Sequence, residues 1–254
     1  MKKFFVNAIL GLVPFSQKRK ELRDKFLNCN KSNKKTTNDI AKEKLCNNKF
    51  IVIDENSKET LKFFINGLKV NFHGKNSKVI IHQPIKFSNC TFEIASNVTV
   101  EIQPSRYSIN NLRISTSLNS KVVIGKDFSC FDCVIDNHDE AGKSVVIGND
   151  CMFSHGIIMR TSDGHTIYNL TTKEILNKPK NGIKIGDHVW VGMGVTISKD
   201  VSVPSNCVIG AKSLVNKSFV EQNIIIAGTP AKIIKTNIGW DRNHTDKFKD
   251  GFYN

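Results

Sequence analysis

Residues 185–220, written in sixes, read IGDHVW VGMGVT ISKDVS VPSNCV IGAKSL VNKSFV. Each six opens on an aliphatic residue: Ile185, Val191, Ile197, Val203, Ile209 and Val215. The fifth place holds Val189, Val195, Val201, Cys207, Ser213 and Phe219, mostly small or β-branched. A strict period of six is neither the 3.6 of a helix nor the 2 of a lone strand, so the repeat is itself the signal. Each six has room for one short strand and one turn, with the leading aliphatic pointing into a pleated wall. Three sixes close one triangular coil, and stacked coils bury a continuous apolar column. The expected fold class is all-β, a parallel β-solenoid. Gly186, Gly192, Gly194 and Gly210 are expected at corners, where positive φ or close backbone approach is needed.

The register extends upstream. It returns at Ile124 (IGKDFS CFDCVI D) and at Ile147 (IGNDCM FSHGII M). Coils therefore start at Ile124, Ile147, Ile185 and Val203. The last interval is three sixes. The first exceeds three sixes by not quite one more, and the second by a little over three more. Both insertions leave after the start of the third six, at Asp136 and Met159, so they emerge at the same corner one coil apart. They form loops at 137–144 and 162–182, and both segments carry histidine, in DNHDEAGK and in RTSDGHTIYNLTTKEILNKPKNG. Polar loops on a rigid scaffold are where function concentrates. Residues 50–123 show short β-rich runs in a degenerate register. They are either irregular early coils of the same solenoid or a β-rich cap blunting its open end.

The formal charge is +14, and residues 1–50 supply +9 of it, with thirteen basic against four acidic side chains. Such an excess attracts anionic partners, unless it is only a solvated Lys-rich surface. Residues 4–15, FFVNAILGLVPF, are too short to span a bilayer, and no small-x-small cleavage site follows. A basic amphipathic segment lying on a membrane through residues 1–27 is one expectation; a helix docked on its own assembly is the other. The chain thus divides into a basic, partly helical N-terminal extension (1–49), a solenoid domain (50–235) and a polar tail (236–254), which is either helical or loose. The seven cysteines form no secretory framework. Cys151 and Cys207 take inward positions, and the CxxC of Cys130 and Cys133 lacks a second pair at zinc spacing, so a reducing cytoplasm and no metal are expected. Charge without a basic-aromatic motif excludes nucleic acid as the partner.

The segments VIDN, IGNDCMFSHGIIMRTSDGH, IGDHVWVGMGVTI, IGAKSLVNK and AGTPAKIIK, in that order, resemble the hexapeptide-repeat acyltransferases. The resemblance is to the branch that O-acetylates maltose, galactosides and capsular polysaccharides, and it covers somewhat under half the chain. It implies a left-handed parallel β-helix; the period alone does not fix the hand. In that family a loop histidine shortly after a threonine is the general base, and the matching residue here is His165 of Thr161-Ser-Asp-Gly-His. An imidazole with a pKa near ~6.5 can take the proton of a sugar hydroxyl as it attacks a thioester. Transfer is direct, so no Ser or Cys nucleophile is required. Asp163 is the nearest carboxylate for fixing the tautomer. His138 and His155 are rival bases, and His138 is also a candidate substrate contact. Asp136 matches the acidic residue that contacts the acceptor sugar. Arg160 either pairs with Asp163 or holds an acceptor carboxylate.

Trp190, read as starting a turn, is placed by the resemblance against acetyl-CoA and near the acceptor. Donor contacts are implied at Met193, Gly194, Ala211, Asn216 and Lys217, with Lys232 and Lys235 toward the 3′-phosphate. The family often has arginine at the last two places; lysine keeps the charge without the bidentate fork. A backbone N–H near Gly192 to Gly194 is the expected oxyanion donor. The resemblance further implies a homotrimer with each active site between two subunits. The function expected is acetyl-CoA-dependent O-acetylation of a bacterial surface glycan, such as a sialic acid or hexose of capsule or lipo-oligosaccharide. The enzyme is placed in the cytoplasm, with peripheral contact on the inner face of the membrane as a further expectation. An N-acetyltransferase acting on a nucleotide-linked amino sugar, and a non-catalytic solenoid scaffold, are the alternatives.

Overall fold

The computed structural model describes residues 46–248. The membrane-surface segment expected at 1–27, and nearly all of the N-terminal extension, lie outside them. Every named element among the described residues is a strand, and the strands stack as a left-handed parallel β-helix of about seven turns. Three sheets form its faces. In one complete coil the chain runs through Lys121–Ile124 on face one, Ser129–Cys130 on face two and Cys133–Asn137 on face three. Successive coils pair in parallel on each face.

The inward alternation explains the ladder. All twelve residues singled out at first and fifth places are buried. Ile102, Ile124, Ile147, Ile185 and Val203 pair in turn on face one, so the unequal intervals read from the sequence are whole coils with loops let into two of them. Earlier coils obey the same rule at a spacing longer than three sixes: Ile81 pairs with Ile102, and Ile102 with Ile124. Residues 50–123 are therefore early coils of one solenoid. The open ends are blunted by antiparallel strands, Glu59–Leu61 at the start and Ala231–Lys235 at the finish, which limits edge-to-edge association.

The corners depart from expectation. Of the four glycines expected there, only Gly194 has positive φ, at 69°. Gly186, Gly192 and Gly210 are needed for closeness, since a Cβ on Gly192 would lie 2.8 Å from the Ala211 backbone nitrogen. The left-handed positions are filled mainly by Asn and Asp, as at Asn97, Asn119, Asp127 and Asp150. Their short polar side chains tolerate that region. Asn97 also donates to Asn119, so the corner carries its own hydrogen-bond ladder.

The six cysteines among the described residues are free. Burial pushes the Cys130 thiol up to about 12 and the Cys133 thiol well above its ordinary value, which suits core packing. No helix among the described residues is long and apolar enough to cross a membrane.

Candidate active site

Both insertions leave face three and return to face one, so they share one corner. The strands run slightly further than expected, to Asn137 and Arg160. Asn137 takes an inward position in the alternation of its strand and is fully buried. Its amide donates to the Lys143 carbonyl (3.1 Å), and its carbonyl accepts from the buried Thr161 hydroxyl (2.7 Å). One buried amide thus ties the return of the short loop to the root of the long one. Lys143 adds a second tie, its Nζ donating to the Pro179 carbonyl at 2.9 Å. Leaving either buried partner unsatisfied would cost ~1–3 kcal/mol, so the loops are held where they emerge.

Asp136 and Arg160 are direct partners across the parallel register, one coil apart in the chain. That brings their side chains together: Arg160 Nε lies 3.2 Å from Asp136 Oδ2, and Nη2 donates to Asp139 Oδ2 at 3.2 Å. The Nε contact is an ion pair without hydrogen-bond alignment. His138 sits between the same two carboxylates, with Nδ1 on Asp136 and Nε2 3.2 Å from Asp139 Oδ1. The two carboxylates and His138 have donor atoms close enough for a cation, but the Arg160 guanidinium already supplies positive charge there. Arg160 therefore does not pair with Asp163, as one of the two expectations for it had it. Asp139 was missed; its signal was its place two residues after the strand end, inside the short loop.

The bond from Asp136 holds the His138 imidazole above its ordinary pKa, against the opposing effect of burial. Burial pushes Asp136 upward, yet the bond from His138 and the charges of His138 and Arg160 outweigh it and hold the carboxyl low. The signs follow from linkage. A raised histidine stabilises the fold fully below its unfolded value of ~6.5 and loses that as pH rises through the folded value. A lowered aspartate contributes above ~3.9 and loses that as pH falls. The stability difference between the wild type and His138→Ala, followed as thermal midpoints against pH, is expected to be greatest between these limits and to shrink on the alkaline side. A difference that stays flat with pH would refute a charged pair.

Asp163 has other partners. Lys199 and the Asn177 amide (2.9 Å) take its carboxylate, and Lys199 is the main reason its pKa is lowered. The same Asn177 amide donates to the His165 carbonyl at 2.8 Å. Asp163 therefore meets His165 through the backbone and not at the imidazole, contrary to the expected tautomer contact. Gly164, at φ 78°, faces the Asp139 carboxylate and the Arg160 guanidinium, so the turn carrying His165 lies over the cluster. His165 itself is exposed, and among the described residues its ring has no hydrogen-bond partner. His155 is on a different corner, stacked on Phe131 with centroids 4.7 Å apart.

The expected donor residues divide between two places. Trp190 begins the strand Trp190–Val191 on face two, rather than opening a turn, and is 38% exposed. Its register column continues through Val208 and Ile225 to Lys235. Three strand spacings of ~4.8 Å put Lys235 roughly 14 Å along from Trp190. Met193, Gly194 and Ala211 border this face at its corner with face three, and Lys232 lies on the same terminal strand as Lys235. Asn216 and Lys217 follow the last face-three strand, Leu214–Val215, on the loop corner instead. The Gly192 and Gly194 amides donate to the carbonyls of Ile209 and His155, each at 2.8 Å, which removes both as oxyanion donors. The intervening Met193 amide has no such partner among the described residues.

A bacterial transferase hexapeptide model of six repeats matches residues 182–217. The polysialic acid O-acetyltransferase of Neisseria meningitidis is 33% identical over 184 residues, covering 70% of this chain and 78% of that protein. The polysialic acid O-acetyltransferase of Escherichia coli O1:K1 is 38% identical over 137 residues, 53% of this chain; the match spans only 42% of that longer relative. Among solved structures, the polySia-specific acetyltransferase NeuO superposes with a TM-score of 0.67 at 33% identity, covering 80% of this chain and 88% of that one.

Proposed function

This chain belongs to the hexapeptide-repeat acyltransferases, and from that premise we propose that it moves an acetyl group from acetyl-CoA to a hydroxyl of a bacterial surface polysaccharide. The observation that carries this is the separation of two half-sites. The loop corner between faces three and one offers a carboxylate cluster under the turn that carries His165, whose imidazole has no hydrogen-bond partner among the described residues. Face two, the face that does not border that corner, offers a tryptophan and a lysine on one column. A single triangular coil cannot bring these together. Two copies placed side by side can, and a closed ring of three repeats the arrangement without leaving a free edge.

In this assembly the thioester lies along face two, with its phosphates toward Lys232 and Lys235 and its acyl end against Trp190. Asn216 and Lys217 reach the donor from the copy that supplies the loops. The acceptor hydroxyl sits at the loop corner, held by Asp136, whose carboxylate His138 positions. His165 takes the hydroxyl proton as the oxygen attacks the thioester carbon. The Met193 amide receives the oxyanion, the C–S bond breaks, and the imidazolium returns its proton to the departing thiolate. No metal enters these steps. Asp163 acts through Asn177, which grips the backbone of His165. Arg160 is committed to Asp136 and Asp139, so this corner recognises hydroxyls, and an anionic glycan meets the chain's positive charge elsewhere. We place the reaction in the cytoplasm, where acyl-CoA is at hand, near the inner face of the membrane.

Incubating the protein with acetyl-CoA and a polymer of sialic acid, alongside neutral polysaccharides, and weighing the products by mass spectrometry tests the proposal. A gain of one acetyl unit that mild alkali removes is expected, since esters are base-labile and amides are not. An alkali-stable acetyl found only on a nucleotide-linked amino sugar would overturn it.

A further inference from the structure

Among the described residues, the segment that follows the last strand, 236–248, is neither a helix nor a loose tail. It doubles back along the edge between faces one and two. The Ile238 amide donates to the Asn223 carbonyl at 3.0 Å. The Trp240 indole stacks on the His188 imidazole with centroids 4.1 Å apart and planes 12° from parallel, and its Nε1–H donates to the His188 carbonyl at 2.9 Å. Both ring nitrogens of His188 face acceptors, Asp150 Oδ2 at 2.7 Å and the Trp240 carbonyl at 3.1 Å. Arg242 then sinks into the same edge and is only 16% exposed. It donates to Asp150 Oδ1 (2.8 Å), Ser129 Oγ (2.8 Å) and the carbonyls of Asp127 (3.0 Å) and Cys151 (3.1 Å), with its guanidinium 4.1 Å over the Tyr107 ring.

Withdrawing a guanidinium from water is costly unless its donors are matched. Here four of its five are matched, so the segment is seated in one register. It touches residues of four successive coils, Tyr107, Asp127, Asp150 and His188, and Asn223 two coils further on, and so works as a strap. Its apolar member has a second face. The Trp240 ring lies 6.1 Å from the Trp190 ring, tilted by 44°, within the range of aromatic contact. Trp190 is otherwise an exposed side chain on a two-residue strand.

We propose that the strap 237–243 is a positioning element in which Trp240, clamped by His188 and anchored by Arg242, fixes the Trp190 ring as a preformed wall for the acyl donor. This rests on Trp190 lining the donor site, as proposed above. A preset side chain spares the ordering cost that binding would otherwise meet.

The chain has two tryptophans, Trp190 and Trp240, which makes the test direct. In full-length Trp240→Ala and Trp240→Phe, Trp190 is the sole tryptophan. CoA binding is measured by calorimetry, together with the emission and acrylamide quenching of Trp190. Trp240→Ala is expected to weaken CoA binding about tenfold and to give a redder, more quenchable Trp190, while Trp240→Phe stays within about twofold of wild type. Trp240→Leu, which keeps apolar bulk without a flat ring, should follow alanine and guards against a folding defect in the smaller variant. Unchanged CoA affinity in Trp240→Ala and Trp240→Leu, with Trp190→Ala weakened, would overturn the strap's role alone. Unchanged affinity in Trp190→Ala itself would remove the donor site on which the proposal stands.

Discussion

Replacing His165 by alanine is expected to lower kcat for acetyl transfer by about 10²–10⁴-fold, the usual contribution of a positioned general base. KM for acetyl-CoA should stay within about twofold, because the proposed donor site lies along face two and His165 is on the opposite corner. The physical case is one of availability. A base must have a free lone pair facing the proton it takes. The His165 ring has no partner within the described chain, while its backbone is gripped by Asn177. His138 is the obvious rival, yet both of its ring nitrogens lie against carboxylates and its pKa is raised by Asp136. Such an imidazole is a donor to neighbours rather than an acceptor from substrate. His138→Ala is therefore expected to raise KM for the glycan more than it lowers kcat. Steady-state rates for the two variants, with both substrates varied in turn, decide the matter. If His138→Ala cost more in kcat than His165→Ala, the base would have to be reassigned.

Much of this arrangement was legible in the chain because the solenoid is a repeating object. The sixes between 185 and 220 give strand, turn and inward face at once, and departures from three sixes per coil locate both loops on one corner. The early coils were harder to read. Their spacing is longer, and their left-handed corner positions hold asparagine, a residue common in any polar segment. The site was legible as a set of residues but less so as a set of contacts. Arg160 and Asp163 are three apart in sequence, which suggests a pair. In a β-helix, however, the nearest side chain is often a whole coil away, and Arg160 meets Asp136 across the register. The same geometry hid Lys199, which reaches Asp163 from the following coil. The strap left no periodic trace. Trp240 and Arg242 stand in a polar tail, and only the stacked corner formed by Asp127, Asp150 and His188 gives them somewhere to bind.

The proposed division of the site between two copies leads to the second large effect. His165→Ala and Trp190→Ala homomers should each be nearly inactive. If they are unfolded together, mixed one to one and refolded, activity should return to about one quarter of the wild-type rate, a fraction that follows from counting neighbours in a closed ring. Each site needs its loop corner from a copy with His165 intact and its donor face from an adjoining copy with Trp190 intact. Under random mixing each condition is met half the time, so their product is a quarter, whatever the number of copies in the ring. A site built within one chain behaves differently, because every chain in the mixture carries one lesion and no rearrangement repairs it. Mixing the folded variants without refolding gives the control, since established rings do not exchange partners at once. Recovery in the refolded mixture, with none in the control, requires that the imidazole and the donor face come from different chains. No recovery in either, with refolded wild type active, would place both halves in one chain and contradict the separation of the loop corner from face two on which the proposed mechanism depends.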